Sequence, residues 1–240
     1  MSTSQSNDFY SRLAPLYDQL FPVEETTVEF LVAAGAVKGA RVADIACGTG
    51  LYTQALIERD VDAYGLDSSA DLVAIAKDRS KQFNRFVVGD MLSPSELPSG
   101  PWDLAFCIGN SIAHLQDLKA IQKFIGVYAD MHCTTLVLQF VDMQSIPVGA
   151  ERTLPPLITG KTRFLRRYHR TSATHMTFQG QLVSGASSVS ITNTLLVIDS
   201  QAILTWLGEN GFTDVSLRGG FGNQPLEESW VRVAIARRGD

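Results

Sequence analysis

The chain has few cysteines, no long apolar run and no excess of basic residues. Its 240 residues include three cysteines with no Cys-x-x-Cys spacing, so we expect buried free thiols in a reducing cytoplasm rather than disulfides or a zinc site. No apolar run is long enough to cross a bilayer, and the first residues have neither the basic patch nor the apolar core of a signal peptide. A formal charge of −5 makes the chain poorly suited to general nucleic-acid binding. We therefore predict a cytoplasmic protein that does not contact a membrane and for which binding to nucleic acid is disfavoured.

What the sequence does contain is an alternation of strand-like and helical segments. The composition, 45% hydrophobic and 19% charged, is that of an ordinary globular protein long enough for one sizeable α/β domain with a small insertion. This alternation predicts a doubly wound, mostly parallel sheet covered by helices on both faces. The predicted strands are 41–46, 63–67, 86–90, 104–108 and 135–141, and two predicted helices are 70–82 and 115–131.

The pattern changes after residue 142. Residues 147–160 hold three prolines and two glycines and are predicted to form a loop. Extended runs then predict an inserted antiparallel meander, followed by a helix that Asp199 or Ser200 caps and that runs through Leu207. Without a crossover helix between them, the last two strands should be antiparallel neighbours. The strands predicted here are 163–170, 174–182 and 187–198 in the insertion, and 213–218 and 230–237 at the end.

The most informative segment reads Arg-Val-Ala-Asp-Ile-Ala-Cys-Gly-Thr-Gly at positions 41–50. It predicts a buried strand that ends in a turn, where Gly48 and Gly50 let the backbone approach a ligand that a Cβ atom would obstruct. Asp67 closes the next strand and is placed to accept hydrogen bonds from ribose hydroxyls. The chain is therefore predicted to bind a cofactor that contains adenosine.

The residues around this turn favour one such cofactor. A dinucleotide site would need a small residue at the position of Thr53, and a phosphate loop would need a lysine that the segment lacks. Asp44 would repel a pyrophosphate but attract an ammonium or sulfonium group. S-adenosylmethionine fits these features best. Asp90 and Asn110 also follow strand ends, where ligands bind in parallel sheets.

Together these residues resemble the class I S-adenosylmethionine-dependent methyltransferases. Residues 44–50 match the first motif of that family, Asp67 its ribose-binding acid, and Gly89-Asp90-Met91 the segment that meets the adenine. The resemblance implies a seven-stranded sheet with a C-terminal antiparallel hairpin, and S-adenosylhomocysteine as product. The cofactor-binding residues that it implies are Tyr17, Asp44, Ala46, Gly48, Gly50, Asp67, Ser68, Asp90, Met91, Ile108 and Asn110.

A narrower resemblance concerns the acceptor. Residues 102–115 resemble the segment after the fourth strand in glycine and sarcosine N-methyltransferases and in related small-molecule and sugar-amine enzymes. Residues 10–18 resemble the flap that such enzymes fold over the cofactor. The resemblance implies a small-molecule acceptor, with an amine nitrogen favoured. It also divides the chain into a flap and helix (1–40), a cofactor-binding core (41–142), a β insertion serving as lid or dimer contact (143–198), and a closing helix and hairpin (199–240).

Asn110, His114 and Tyr17 are the candidate catalytic residues. Asn110 could orient the substrate or only cap the next helix. His114 could remove a proton from an ammonium substrate or simply face solvent, and Tyr17 could contact the sulfonium or only pack. Transfer to an oxygen, transfer to an RNA nucleotide and cofactor binding without catalysis remain alternatives, and a homodimer is left open.

Two absences narrow the chemistry further. An Asn/Asp-Pro-Pro-Tyr motif for planar nitrogens is missing where the chain has Ile108-Gly109-Asn110-Ser111. Asp103 and Asp142 do not make a clear acidic cluster, so no metal is predicted.

Residues 161–170 contain five cations and no acid. In a strand, Arg163, Arg167 and His169 would share one face, whereas Arg166 and Arg170 would share the other. The segment could be a solvated edge that resists aggregation, a clamp in which Arg163 and Arg167 hold a carboxylate or phosphate substrate, or an RNA contact.

Overall fold

The structure is a computed structural model that describes residues 17–222 and 224–239. Its described residues form two units. The larger unit comprises residues 23–142 and 198–239, and the smaller comprises residues 17–22 and 143–197. Most of the predicted flap, residues 10–16, lies outside the described residues, which include only Tyr17 and Asp18 of that segment.

The larger unit is a seven-stranded sheet flanked by helices. The strand order is β10-β11-β5-β4-β1-β2-β3. Its elements are α1 (Glu25–Ala34), β1 (Arg41–Ile45), α2 (Leu51–Ile57), β2 (Asp62–Asp67), α3 (Ala70–Ser80), β3 (Phe86–Val88), β4 (Trp102–Cys107), α4 (Leu118–Asp130), β5 (Cys133–Val141), α5 (Ser200–Glu209), β10 (Asp214–Arg218) and β11 (Val231–Arg237), with β6 to β9 in the smaller unit.

The pairing of these strands confirms the predicted sheet. β1 pairs in parallel with β2 and β4, β2 with β3, and β4 with β5. β11 runs antiparallel to both β5 and β10, as the missing crossover helix predicted. β5 is buried along almost its whole length because helices cover both faces of a doubly wound sheet.

Helix α4 illustrates how a helix packs against this sheet. Asp117 caps it by accepting a hydrogen bond from the Ala120 amide at 2.8 Å. Its buried side chains recur at helical spacing and form one apolar face. These side chains are Ile121, Phe124, Ile125, Tyr128 and Ala129.

The strand order changes direction between β1 and β4. β2 and β3 lie on one side of β1, whereas β4 and β5 lie on the other. The loops after β1 and β4 therefore diverge and leave a crevice at the carboxyl edge of the sheet, where such folds bind ligands.

The smaller unit contains a four-stranded antiparallel sheet of order β6-β7-β8-β9. Its strands are β6 (Glu151–Thr159), β7 (Thr162–Arg170), β8 (His175–Ser184) and β9 (Ser187–Leu196). Tyr17 and Phe21, from the helical turn at 17–20 and the residue after it, pack with Phe164 of β7 in an apolar cluster of this unit.

The predicted loop at 147–160 is wrong, because most of it is β6. Two consecutive prolines, Pro155 and Pro156, suggested a break, but β6 is an edge strand on which a missing amide hydrogen need not cost a ladder bond. The register with β7 shifts between Leu154 and Leu157, so a bulge accommodates the two prolines.

The predicted helix at 115–131 begins too early. Residues Ser111–His114 form a 3₁₀ turn, and α4 begins only after the cap Asp117. Apolar spacing continued across this break and concealed it. No helix in the described part of the chain is long and apolar enough to span a membrane.

Candidate active site

The turn after β1 contains three residues with left-handed backbone conformation. The φ angles of Ala46, Gly48 and Gly50 are 61°, 58° and 75°. This conformation strains Ala46 by about 1–2 kcal/mol because it has a Cβ atom, whereas glycine adopts it without strain. A Cβ atom on Gly50 would overlap the Phe86 ring and lie 2.9 Å from the Ala76 Cβ. Gly50 is therefore also required by close packing of the turn against β3 and α3.

Asp67 ties this turn to the start of α3. Its Oδ2 accepts a hydrogen bond from the Gly48 amide and its Oδ1 accepts one from the Ser69 amide, each at 2.8 Å. The side chain is buried, which raises the pKa of the carboxyl group, although backbone donors including Ser68 oppose the rise. Four lone-pair sites exceed the three backbone donors, so the carboxylate can still accept from a ligand hydroxyl.

Asp44 lies one strand away, at the carboxyl half of β1, and is also buried. The Thr53 hydroxyl donates to its Oδ2 at 2.7 Å. Burial is the main reason that the pKa of Asp44 rises from 3.8 to about 7, and the neighbouring charge of Asp67 adds to it. Sequence reasoning treated Thr53 only as a missing small residue, but its hydroxyl partners the site carboxyl.

The next strand end brings in Asp90. The Gly89 amide donates to the Asp67 carbonyl at 3.0 Å, so Asp90 follows directly at the same edge of the sheet. Asp90 is exposed, and its Oδ1 accepts from the Leu92 amide at 2.9 Å, which fixes the turn after β3. Met91, between them, is half-buried.

Asn110 follows β4 on the other side of the crevice, with a left-handed φ of 63°. Its Oδ1 accepts a hydrogen bond from the backbone amide of Val141, and its backbone amide donates one to the Gln139 Oε1, both at 3.0 Å. The side chain does not cap the turn that follows, so that alternative is wrong. Gln139 was missed, although it is a lone polar residue in the apolar run of β5. These two bonds hold Asn110 in place. Its side-chain NH₂ group has no acceptor among the described residues.

Ile108 and His114 lie on either side of Asn110 in the chain. Ile108 is half-buried against the core, and its carbonyl accepts from the Ser111 hydroxyl at 2.8 Å. His114 ends the 3₁₀ turn and is exposed, yet partial loss of hydration lowers the pKa of its imidazole. A lowered pKa keeps the ring neutral at pH 7, as a proton acceptor requires.

The remaining predicted residues belong to the smaller unit. Tyr17 packs on Phe21 with ring centroids 5.0 Å apart. Arg163 and Arg167 are exposed on one face of β7, and Arg167 forms an ion pair with Glu151 at 3.2 Å. Their predicted roles in binding cofactor or substrate stay predictions.

The two acids weighed as metal ligands do not cluster. Asp103 lies near the start of β4, at the opposite edge, and its carboxylate accepts from the Arg41 amide at 2.7 Å. Asp142 is paired with Arg232 at 2.8 Å. Among residues 17–222 and 224–239, no three His, Cys, Asp or Glu side chains are grouped to hold a metal ion.

Comparison with known proteins identifies the fold and a matching domain. Residues 42–130 match the family described as a methyltransferase domain. The solved structure of the CcbJ methyltransferase from Streptomyces caelestis superposes with a TM-score of 0.79 over 95% of this chain and 96% of that one, at 16% identity. The fold and this match together support a class I S-adenosylmethionine-dependent methyltransferase. Its seven-stranded sheet with a terminal antiparallel hairpin is the fold of that family.

Curated relatives match this chain over the core of the fold. Human (Homo sapiens) glycine N-methyltransferase is 33% identical over 95 residues, which are 35% of this chain and 32% of that protein. The ubiquinone biosynthesis O-methyltransferase of Methylococcus capsulatus is 28% identical over 105 residues, 42% of this chain and 44% of that protein. The chain therefore spans less than half the length of these relatives.

S-adenosylmethionine is the cofactor of this family, and the residues present fit it. Asp67 retains acceptor capacity for hydroxyl groups, while Asp44 offers a carboxyl that would attract a positive group when ionised. Register places the ends of β1, β2, β3 and β4 side by side, so the structure brings together the predicted residues at those ends. These residues are Asp44, Ala46, Gly48, Gly50, Asp67, Ser68, Asp90, Met91, Ile108 and Asn110.

Proposed function

We propose that this protein transfers a methyl group from S-adenosylmethionine to a small-molecule acceptor, with an amine nitrogen favoured. The single observation that carries the proposal is the pair of buried carboxyl groups, Asp44 and Asp67, on either side of the glycine turn. Asp67 suits ribose hydroxyls and Asp44 suits a positive charge. A phosphate-bearing cofactor could also use Asp67 through its ribose, but an ionised Asp44 would repel its phosphates.

The cofactor supplies an electrophilic methyl group on a sulfonium, so the protein needs mainly to position the acceptor. Holding the acceptor lone pair in line with the sulfur can provide several kcal/mol of the barrier. In this proposal the side-chain amide of Asn110 orients the acceptor. The Val141 amide bonds its Oδ1, and Gln139 holds the Asn110 backbone N–H. These hydrogen bonds matter because a loosely held amide would not keep the acceptor in line with the sulfur.

The state of His114 is compatible with an amine acceptor. An aliphatic amine is mostly protonated at neutral pH and has to lose a proton before its lone pair can attack. An imidazole with a lowered pKa is neutral at that pH and can accept the proton. The similarity to glycine N-methyltransferase supports this choice, whereas the relative that is an O-methyltransferase keeps oxygen as the alternative.

The proposal is tested first by binding and then by transfer. Calorimetry with S-adenosylhomocysteine should give binding to the wild type and at least a tenfold loss in Asp67→Asn. The loss is expected because the new side-chain NH₂ group would face a backbone N–H, and an acceptor for the ribose would disappear. Asp130→Asn, an exposed change on α4, is the matched control and should bind normally.

Transfer is then followed with methyl-labelled S-adenosylmethionine and separate pools of amines, hydroxylated metabolites and RNA. Label entering the amine pool supports the proposal. Label entering only the other pools assigns an oxygen or RNA acceptor, and binding without any transfer assigns a non-catalytic role. Absence of binding by a folded wild type would contradict the proposal as a whole.

A further inference from the structure

Arg166 is a half-buried cation without the partners that burial calls for. It lies on the face of β7 that also carries Phe164 and Tyr168, both buried. Its Nη2 donates to the Pro155 carbonyl at 3.1 Å, but its Nε is buried with no acceptor. No acidic partner for this guanidinium lies in the described part of the chain. Buried charges are ordinarily paired, so this one needs an explanation.

The other two arginines at this end of β7 have the hydrogen-bond or ion-pair partners that are usual for arginine. Arg170 shares the face of Arg166 but donates to backbone carbonyls at 2.6–3.3 Å, including those of Gln144 and Ile146. Arg167 lies on the opposite face and pairs with Glu151. Arg166 is the exception among these three.

The surroundings of Arg166 are apolar and carry no negative charge. Its cross-strand neighbours are Leu154 on β6 and Gly180 on β8, which has no side chain. Beside it Tyr168 packs on Phe178 with ring centroids 5.2 Å apart. We call this surface, formed by Leu154, Phe164, Arg166, Tyr168, Phe178 and Gly180, the inner face.

The net charge of residues 143–197 also favours an anionic ligand. Residues 143–197 contain six lysines and arginines but only one acid, in a chain whose formal charge is −5. That acid is Glu151, which pairs in register with His169 and therefore lies on the other face of the sheet. The inner face is thus cationic with no acid of its own, and desolvation lowers the pKa of Arg166, a cost that an anion would offset.

We propose that Arg166 on the inner face binds the carboxylate or phosphate of a small molecule with an apolar body. A guanidinium presents a planar fork of donors that matches both oxyanions, so one chemistry describes both ligands. The apolar body would lie beside Arg166, against the half-buried ring of Phe178.

The experiment measures anion binding without cofactor. Benzoate and phenyl phosphate serve as probes, benzamide is their neutral counterpart, and calorimetry measures the dissociation constants. Arg166→Met should weaken both anions at least tenfold, and benzamide should bind the wild type no better than it binds the variant. Lys161→Met removes one positive charge from an exposed turn of the same unit and should leave anion binding unchanged. Arg163→Met tests the opposite face.

Equal binding of benzoate by the wild type and Arg166→Met would overturn the proposal, and so would a loss confined to Arg163→Met. If Arg166→Met fails to fold, the Nε–H resonance of Arg166 in the wild type is followed by nitrogen-15 NMR, with Arg166→Lys for assignment. A shift that saturates with benzoate supports the site, and an unmoved resonance excludes it. S-adenosylhomocysteine binding is measured on the same samples, so a failed cofactor proposal is recognised separately.

Discussion

Replacing Asp44 by asparagine should change how the stability of the protein depends on pH. The carboxyl group is buried, and its pKa rises from 3.8 to about 7, mainly because burial disfavours the charged form. An asparagine keeps a carbonyl oxygen that can accept from the Thr53 hydroxyl but has no charge to develop. The variant therefore isolates the effect of ionisation at this site.

The expected direction follows from the protons that each state binds. Between about pH 4 and 7 the folded protein keeps the Asp44 proton while the unfolded chain has released it, so raising the pH favours the unfolded state. A pKa that rises from 3.8 to about 7 corresponds to roughly 4 kcal/mol over the whole window, of which about 3 kcal/mol falls between pH 5 and 8. Asp44→Asn should avoid this loss.

Urea unfolding of both proteins between pH 5 and 8 measures the difference. The unfolding free energy of Asp44→Asn minus that of the wild type should grow with pH, by at most about 1.4 kcal/mol per pH unit, and level off above pH 7. Asp130→Asn should follow the wild type throughout. A difference that stays constant with pH, or that shrinks as pH rises, would refute the reasoning.

Two further predictions concern neighbouring residues of the site. Gly50→Ala should destabilise the protein by about 2 kcal/mol or more in urea unfolding, because overlap with Phe86 adds to backbone strain. Gly39 has a similar φ of 78° but open space around it, so Gly39→Ala should destabilise the protein less. Equal losses of stability in the two variants would refute the packing argument. His114→Gln should lower the rate of methyl transfer about 10²-fold or more and remove the acidic limb of the pH–rate profile below pH 6.5, so an unchanged profile would exclude a proton-accepting role.

Much of the larger unit could be predicted from the sequence. The strands around Asp44 and Asp67 are short apolar runs bounded by turn residues, and such local signals suffice when a sheet is buried on both faces. The alternation with helices then fixed the parallel pairing, and strand ends placed the polar residues at one edge. Sequence and structure agree there because local pattern and global fold favour the same answer.

The parts that were missed depend on contacts between distant residues. The bond between Thr53 and Asp44 follows from how α2 returns over β1, and that of Gln139 with Asn110 joins two neighbouring strands. Neither bond has a spacing rule in the sequence. The strand at β6 was missed because two prolines are compatible with an edge position that only the finished sheet defines.

The smaller unit is assembled from two pieces of chain that ribosomes make far apart in time. Phe21 packs edge-on against Phe164, with ring centroids 5.9 Å apart, although more than a hundred residues separate them. At roughly 5–20 residues per second, synthesis would leave the earlier ring exposed for about 7–30 s before its partner emerges. We therefore expect chaperones or transient contacts to cover the early aromatic residues of this unit during translation.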